Sequence, residues 1–341
     1  MSVKASFSEE GGQFLWTASI PGEVQEKLLG QNDLTIQMVE ERYPVHMTLR
    51  GETLVLRSPD AEPVRTVAKL LLELVKLVER GVRVTREEIR YGMDALAENG
   101  SVDLAGLHEN TICFTGRGKP VRTRTLGQKR YMEAIQKNHV VFCIGPAGTG
   151  KTYLAVAQAV AMLKSQKVSR VILVRPAVEA GESLGYLPGD LKEKIEPYLR
   201  PLYDALDDMI PAETLGQFMA NRTIEIAPLA FMRGRTLDSA YILLDEAQNA
   251  TSMQLKMFLT RLGPSAKCII TGDLSQIDLP GYQRSGLRLA IDLLHHLQGV
   301  ATIYLDPTDV VRHRLVKEII YAYDKHEKWV RKKRDAQSEE E

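Results

Sequence analysis

Eight residues constrain this chain more than any other stretch of it: Gly145-Pro146-Ala147-Gly148-Thr149-Gly150-Lys151-Thr152. An apolar run, residues 140–144, precedes them, and a helical pattern over residues 153–163 follows. The pattern GxxxxGK followed by Ser or Thr, set between a strand and a helix, describes a phosphate-binding loop. Its glycines let the backbone wrap closely around an anion, so that successive N–H groups and the helix N-terminus face the negative charge. Lys151 is expected to reach the β- and γ-phosphates of a nucleotide, and Thr152 to ligate magnesium through its hydroxyl.

The surrounding pattern agrees with such a loop. Buried-strand candidates fall at residues 140–144, 171–174, 223–226, 241–244, 268–271 and 302–305, and helical patterns separate most of them. This βα alternation over residues 128–325 predicts a parallel sheet covered by helices on both faces.

Two further motifs sit at strand ends. The run Tyr241-Ile242-Leu243-Leu244 closes on Asp245 and Glu246, followed by Ala247, Gln248 and Asn249. Behind a phosphate-binding loop, Asp245 is expected to hold magnesium and Glu246 to orient and polarise an attacking water. Thr271-Gly272-Asp273-Leu274-Ser275-Gln276-Ile277-Asp278 follows the next apolar run. Gln276 is the candidate there for sensing a γ-phosphate or the lytic water.

Taken in order, these three segments resemble motifs I, II and III of superfamily 1 helicase cores. Gln128, within Thr125-Leu126-Gly127-Gln128, looks like the glutamine that those enzymes use near adenine. The stretches at 175–182, 185–190, 197–204, 232–236 and 309–314 narrow the match to the PhoH-like, phosphate-starvation-inducible ATPases. The resemblance is strong over residues 100–324 and weaker before them. It implies a single recombinase-like P-loop NTPase core, ATP and magnesium as ligands, cytoplasmic residence and a role in RNA metabolism. It also implies association with an rRNA-processing endoribonuclease. Arg312 and Arg314 fall where motor ATPases carry an arginine finger, whose charge can speed phosphoryl transfer by ~10³–10⁵-fold. The alternative for Arg312 is a pairing with Asp306 or Asp309. Arg233 and Arg235 face several readings: a neighbouring subunit, nucleotide, RNA or solvent.

The remaining chain divides around that core. Residues 1–22 are polar and glycine-containing and are expected to be poorly ordered. Residues 23–101 read as helix, loop, helix, strand, strand, helix, a small α+β module that resembles the minimal KH unit of RNA-binding proteins. Its loop is Gly30-Gln31-Asn32-Asp33, where KH modules carry GxxG, so a carboxylate stands where phosphate would approach. RNA clamping and a packing or oligomerisation role both fit. Residues 102–127 read as a linker. From residue 110 to 132 there is no acid, while Arg117, Lys119, Arg122, Arg124, Lys129 and Arg130 are all basic. A solvated linker and a phosphate-contacting strip are the two readings. Tyr186, Tyr198, Tyr203 and Arg200 lie among prolines, and there too packing and base stacking are both open. Residues 326–341 form a charged tail expected to be disordered.

Composition sets outer limits. Lys plus Arg and Asp plus Glu both number 44, so any basic surface must be local. Cys113, Cys143 and Cys268 are widely spaced, which suits a reducing compartment rather than a metal site. The start carries acids and no apolar stretch of signal-peptide kind, and no run approaches the ~20 residues of a membrane span. A cytoplasmic protein with no membrane association is the expectation. Only one lobe fits between Gln128 and Lys325, and a lone lobe leaves half of a nucleotide pocket open to water. A homo-oligomer, with a ring as its closed form, is therefore expected.

Overall fold

A computed structural model of the chain describes residues 4–30, 33–82, 84–107, 111–176, 191–280 and 283–311. The expected tail at 326–341, Arg312, Arg314 and Tyr186 lie outside the described residues.

The N-terminal module begins earlier than expected. Residues 1–22, read as a disordered tail, instead supply β1 (Ala5–Glu10) and β2 (Gln13–Ser19), joined through Gly11 and Gly12. Both glycines have positive φ, 60° and 75°. A two-residue loop with positive φ at both positions matches the twist of the strands it joins. In β2, Trp16 and Ala18 turn inward at alternate positions. That strand pairs with β4 (Thr53–Ser58), which pairs with β3 (His46–Arg50), giving the order β1-β2-β4-β3. Helices α1 (Gly22–Leu29), α2 (Leu34–Arg42), α3 (Ala61–Glu79) and α4 (Arg86–Asn99) accompany the sheet. Apolar residues recur along α3 at helical spacing, and Val64, Val67, Leu70, Leu71, Leu74 and Leu77 are all fully buried. They join Trp16, Leu54 and Leu56 in one core.

The segment at 102–127, expected to be a linker, is built into the core instead. Beyond the short α5 (Leu104–Leu107), a hairpin of β5 (Thr111–Phe114) and β6 (Pro120–Arg122) buries Cys113 and Val121 against the larger domain. Its turn donates from Gly116 N to the Asp208 carbonyl at 2.7 Å. The apolar side of this strip was masked in the sequence by its cations. The two units are also joined directly, since Leu126 N donates to the Tyr91 hydroxyl at 2.7 Å.

The larger domain is a six-stranded sheet of β7 (Val140–Ile144), β8 (Arg170–Arg175), β9 (Ile224–Pro228), β10 (Ala240–Leu244), β11 (Lys267–Gly272) and β12 (Val300–Tyr304). The order is β12-β7-β11-β10-β8-β9, and every neighbouring pair is parallel. Alternation decides the faces. Val141, Cys143, Val171, Leu173, Tyr241, Leu243 and Ile269 share one core with residues of α6 (Leu126–Lys137), α7 (Lys151–Lys164), α8 (Leu191–Met209) and α9 (Ala212–Ala220). Phe142, Ile144, Ile172, Val174, Ile242, Leu244, Cys268 and Ile270 form the other, under α10 (Ser252–Leu259) and α11 (Leu287–Leu294). Both faces are thus covered, as the sequence pattern predicts, and the strand bounds agree to within two residues. Among the described residues, no helix is long and apolar enough to cross a membrane.

Candidate nucleotide site

The topology brings the three motifs to one edge. β7, β10 and β11 run parallel, so the loops that leave them emerge at the same end of the sheet, where ligands of open α/β sheets sit. β11 lies between the other two and places its own last residues between the phosphate-binding loop and the carboxylates.

The loop itself follows from its glycines. Gly148 and Gly150 adopt φ of 86° and 79°, a region that side chains disfavour. Gly145 is needed for a different reason: a Cβ there would sit 2.5 Å from the Leu305 carbonyl oxygen. The Thr149 hydroxyl donates to the Pro146 carbonyl at 2.9 Å. The Lys151 ammonium donates to the Gly145 and Pro146 carbonyls at 2.6 and 2.9 Å. Burial holds its pKa below the usual lysine range, while Cys143, Asp273, Glu246 and Asp245 pull it back upward. Val311 N donates to the Gly148 carbonyl at 3.0 Å, so the chain just before Arg312 lies against the loop.

Asp245 is the junction of the three motifs. Its Oδ1 accepts from the Thr152 hydroxyl at 2.7 Å and from the Thr271 hydroxyl at 2.7 Å. A carboxylate and a hydroxyl in contact at the head of a helix supply the hard oxygen donors that magnesium takes. The residues present therefore fit a magnesium nucleotide.

Glu246 follows in the left-handed conformation, φ 54°. Its two oxygens accept from different partners, Arg175 Nη2 at 3.1 Å and Gln248 Nε2 at 2.5 Å. Its side chain remains 34% exposed, so water can reach it.

The fold places the three glutamines differently from one another. Gln128 is only 3% exposed. Its Oε1 accepts from Arg124 N at 2.8 Å and its Nε2 donates to the Thr149 carbonyl at 3.0 Å. The amide is thus spent on backbone and braces the loop from α6. Gln128→Ala is expected to leave Thr149 O and Arg124 N without these partners, at a cost of about 1–3 kcal/mol. Urea denaturation of the two proteins measures this. Gln276 is exposed and its side chain makes no hydrogen bond among the described residues. Asp273 turns inward instead. Its Oδ1 accepts from Ser275 N at 2.9 Å, and its buried Oδ2 has no partner among the described residues. Gln248 went unnoticed as a functional residue, though it stands inside the second motif. It is 1% exposed, and its Oε1 accepts from Asp273 N at 3.0 Å while its amide nitrogen holds Glu246. Its signal was a long amide side chain two residues beyond Glu246, within reach of that carboxylate.

Arg235 has a simpler part. It pairs with both oxygens of Glu225, at 2.6 and 2.7 Å, and holds that carboxyl below the usual carboxylate range. Arg233 is exposed. Tyr198 and Tyr203 are half-buried on α8, and Arg200 is exposed.

A glycine loop at the head of a helix, a buried aspartate bonded to that helix's first hydroxyl, and a parallel sheet covered on both faces define a P-loop nucleotide-binding protein. The profile described as PhoH-like protein matches residues 120–324. A PhoH-like protein of Bacillus subtilis (strain 168) is 50% identical over 298 residues, covering 87% of this chain and 93% of its own. Another from Mycobacterium leprae (strain TN) is 50% identical over 311 residues, 91% of this chain and 88% of its own. Protein PhoH of Escherichia coli (strain K12) is 36% identical over 261 residues, 76% and 73% of the two chains. This chain belongs to the PhoH-like family. Among solved structures, the Pif1 helicase of Candida albicans aligns with a TM-score of 0.27 at 13% identity, over 53% of this chain and 39% of its own. That likeness is too slight to weigh.

Proposed function

We propose that this protein binds ATP with magnesium, hydrolyses it, and couples hydrolysis to RNA. The observation that carries the first part is the Asp245 junction, where one carboxylate oxygen meets both Thr152 of the loop and Thr271 of β11 at 2.7 Å, next to Glu246. In this reading the loop N–H groups and Lys151 bind the phosphates. Thr152 and Asp245 would hold magnesium, which would supply positive charge against charge growing on the phosphoryl oxygens. Glu246 orients the water and takes its proton. The tether from Val311 to Gly148 supports a role for Arg312 at the same phosphates.

RNA coupling rests on two surfaces. Phe114, Arg117, Lys119 and Arg124 are all exposed on or beside the β5–β6 hairpin, a mixture of ring and cations that suits unpaired nucleic acid. The order β2-α1-α2-β3-β4-α3, with strands arranged β2-β4-β3, supports the KH-like reading of the N-terminal module. Asp33 adopts φ 53° where a second glycine would stand, and its carboxylate argues that the hairpin, rather than this loop, meets phosphate. A second copy of the chain closing the open side of the nucleotide pocket completes the proposal, and sedimentation of the nucleotide-bound protein tests it.

The direct test is steady-state phosphate release with magnesium and ATP, with and without single-stranded RNA. The expected result is magnesium-dependent release that RNA accelerates. No release above a reaction lacking protein would overturn the ATPase. A rate indifferent to RNA would overturn the coupling alone.

A further inference from the structure

We infer that Arg175 is the positioning residue for Glu246 and makes the alignment of that carboxylate depend on helix α8. The inference rests on the ATPase reading above and concerns how its base is held. Arg175 is the last residue of β8, the strand beside β10, and its side chain is 17% exposed. Its guanidinium is divided between two elements. Nη2 lies 3.1 Å from Glu246 Oε1, and Nη1 donates to the Tyr198 carbonyl of α8 at 2.6 Å. The other carboxylate oxygen is tied elsewhere, to Gln248, whose amide oxygen is fixed by Asp273 N at the exit of β11. Each oxygen of Glu246 therefore reports on a different part of the domain.

The geometry favours positioning over a plain surface ion pair. An exposed pair fixes nothing, because both long side chains sample many rotamers. Here a planar fork bridges a strand end, a helix carbonyl and a carboxylate, a task that suits arginine and not lysine. The backbone of Glu246 is itself held in the left-handed region, so its side chain leaves the strand in one direction. Pro201 has no N–H to donate to the Pro197 carbonyl, so the ladder of this turn of α8 is interrupted one residue before the carbonyl that Arg175 grips. A shift of that turn would draw Arg175 and release one oxygen of the base. A water-activating group displaced by ~1 Å loses about 100-fold in rate even when its chemistry is intact.

The test compares Arg175→Ala and Arg175→Lys in the full chain, following ATP binding by fluorescence titration and hydrolysis by single-turnover kinetics. Arg175→Ala is expected to lower kcat by ~100-fold with little change in the dissociation constant for ATP. Arg175→Lys should recover only part, since a point charge cannot hold both partners. In a Glu246→Gln background, Arg175→Ala should add nothing further, because the group it positions is gone. Unchanged kcat in Arg175→Ala, a loss that adds in full to Glu246→Gln, or a loss of ATP binding that matches the loss of rate would each overturn the inference. A wild-type protein that does not hydrolyse ATP would instead overturn the ATPase reading itself, and the two failures are told apart by that first rate.

Discussion

Lys151→Ala is expected to weaken ATP binding by roughly thirtyfold or more while leaving the protein folded. The ammonium occupies the loop by donating to the carbonyls of Gly145 and Pro146 at 2.6 and 2.9 Å. Both carbonyls belong to the loop that carries Gly148 and Gly150 in positive φ, so the lysine and the glycines shape one cradle. Burial disfavours its charge, and the carboxylates of Asp273, Glu246 and Asp245 restore part of what burial removes. A phosphate entering the loop would meet a cation already desolvated, which strengthens the pairing. Removing one partner of such a pair costs about 2–5 kcal/mol, and every 1.4 kcal/mol is roughly tenfold in Kd. The fold is expected to survive because the sheet cores on either side of β7 do not include the lysine. Calorimetric titration with ATP, beside a thermal melt of the variant, checks both halves. Wild-type affinity in the variant would mean that the loop binds something other than a nucleotide phosphate.

What could be read from the sequence divides along a physical line. The large domain was legible because its strands are continuous apolar runs, a signal that parallel sheets covered on both faces must give. The loop and both carboxylates were legible because backbone geometry demands glycine and metal chemistry demands oxygen donors at fixed places. Two kinds of feature escaped. The first is apolar alternation hidden among polar residues. Trp16 and Ala18 in β2 alternate with Thr17 and Ser19, and Val121 in the hairpin stands beside Arg122, so composition spoke louder than period. Gly11 and Gly12 were read as signs of disorder, yet two adjacent glycines between pairing segments are also a hairpin turn. The second is who spends which hydrogen bond. Gln128, Gln248 and Gln276 are chemically alike, and only the fold decides that the first braces the loop, the second grips Glu246, and the third faces outward. Likewise Arg235 was a candidate for several partners until the fold set it against Glu225 of β9.

Glu246→Gln is expected to keep ATP binding within a few-fold of wild type and to lose hydrolysis by ~10²–10⁴-fold, the usual worth of a positioned base. The substitution preserves shape, so the effect isolates the charge and the proton-accepting oxygen. Those matter because of how much the fold commits to them. A non-glycine residue in the left-handed region costs about 1–2 kcal/mol, and Glu246 holds that conformation at φ 54°. The turn directs its carboxylate between Arg175 and Gln248 while leaving a third of the side chain open to water. Asp245 beside it is nearly closed off and bonded to Thr152 and Thr271, which separates a metal-holding carboxylate from a water-facing one. Two neighbouring acids with environments this different can divide binding and chemistry between them. The measurement is a single-turnover assay with excess enzyme, paired with a binding titration. A variant that binds ATP and does not turn it over places the chemistry at Glu246. A variant that hydrolyses at the wild-type rate would move the base elsewhere, and Asp273, whose buried Oδ2 has no partner among the described residues, would be the next place to look.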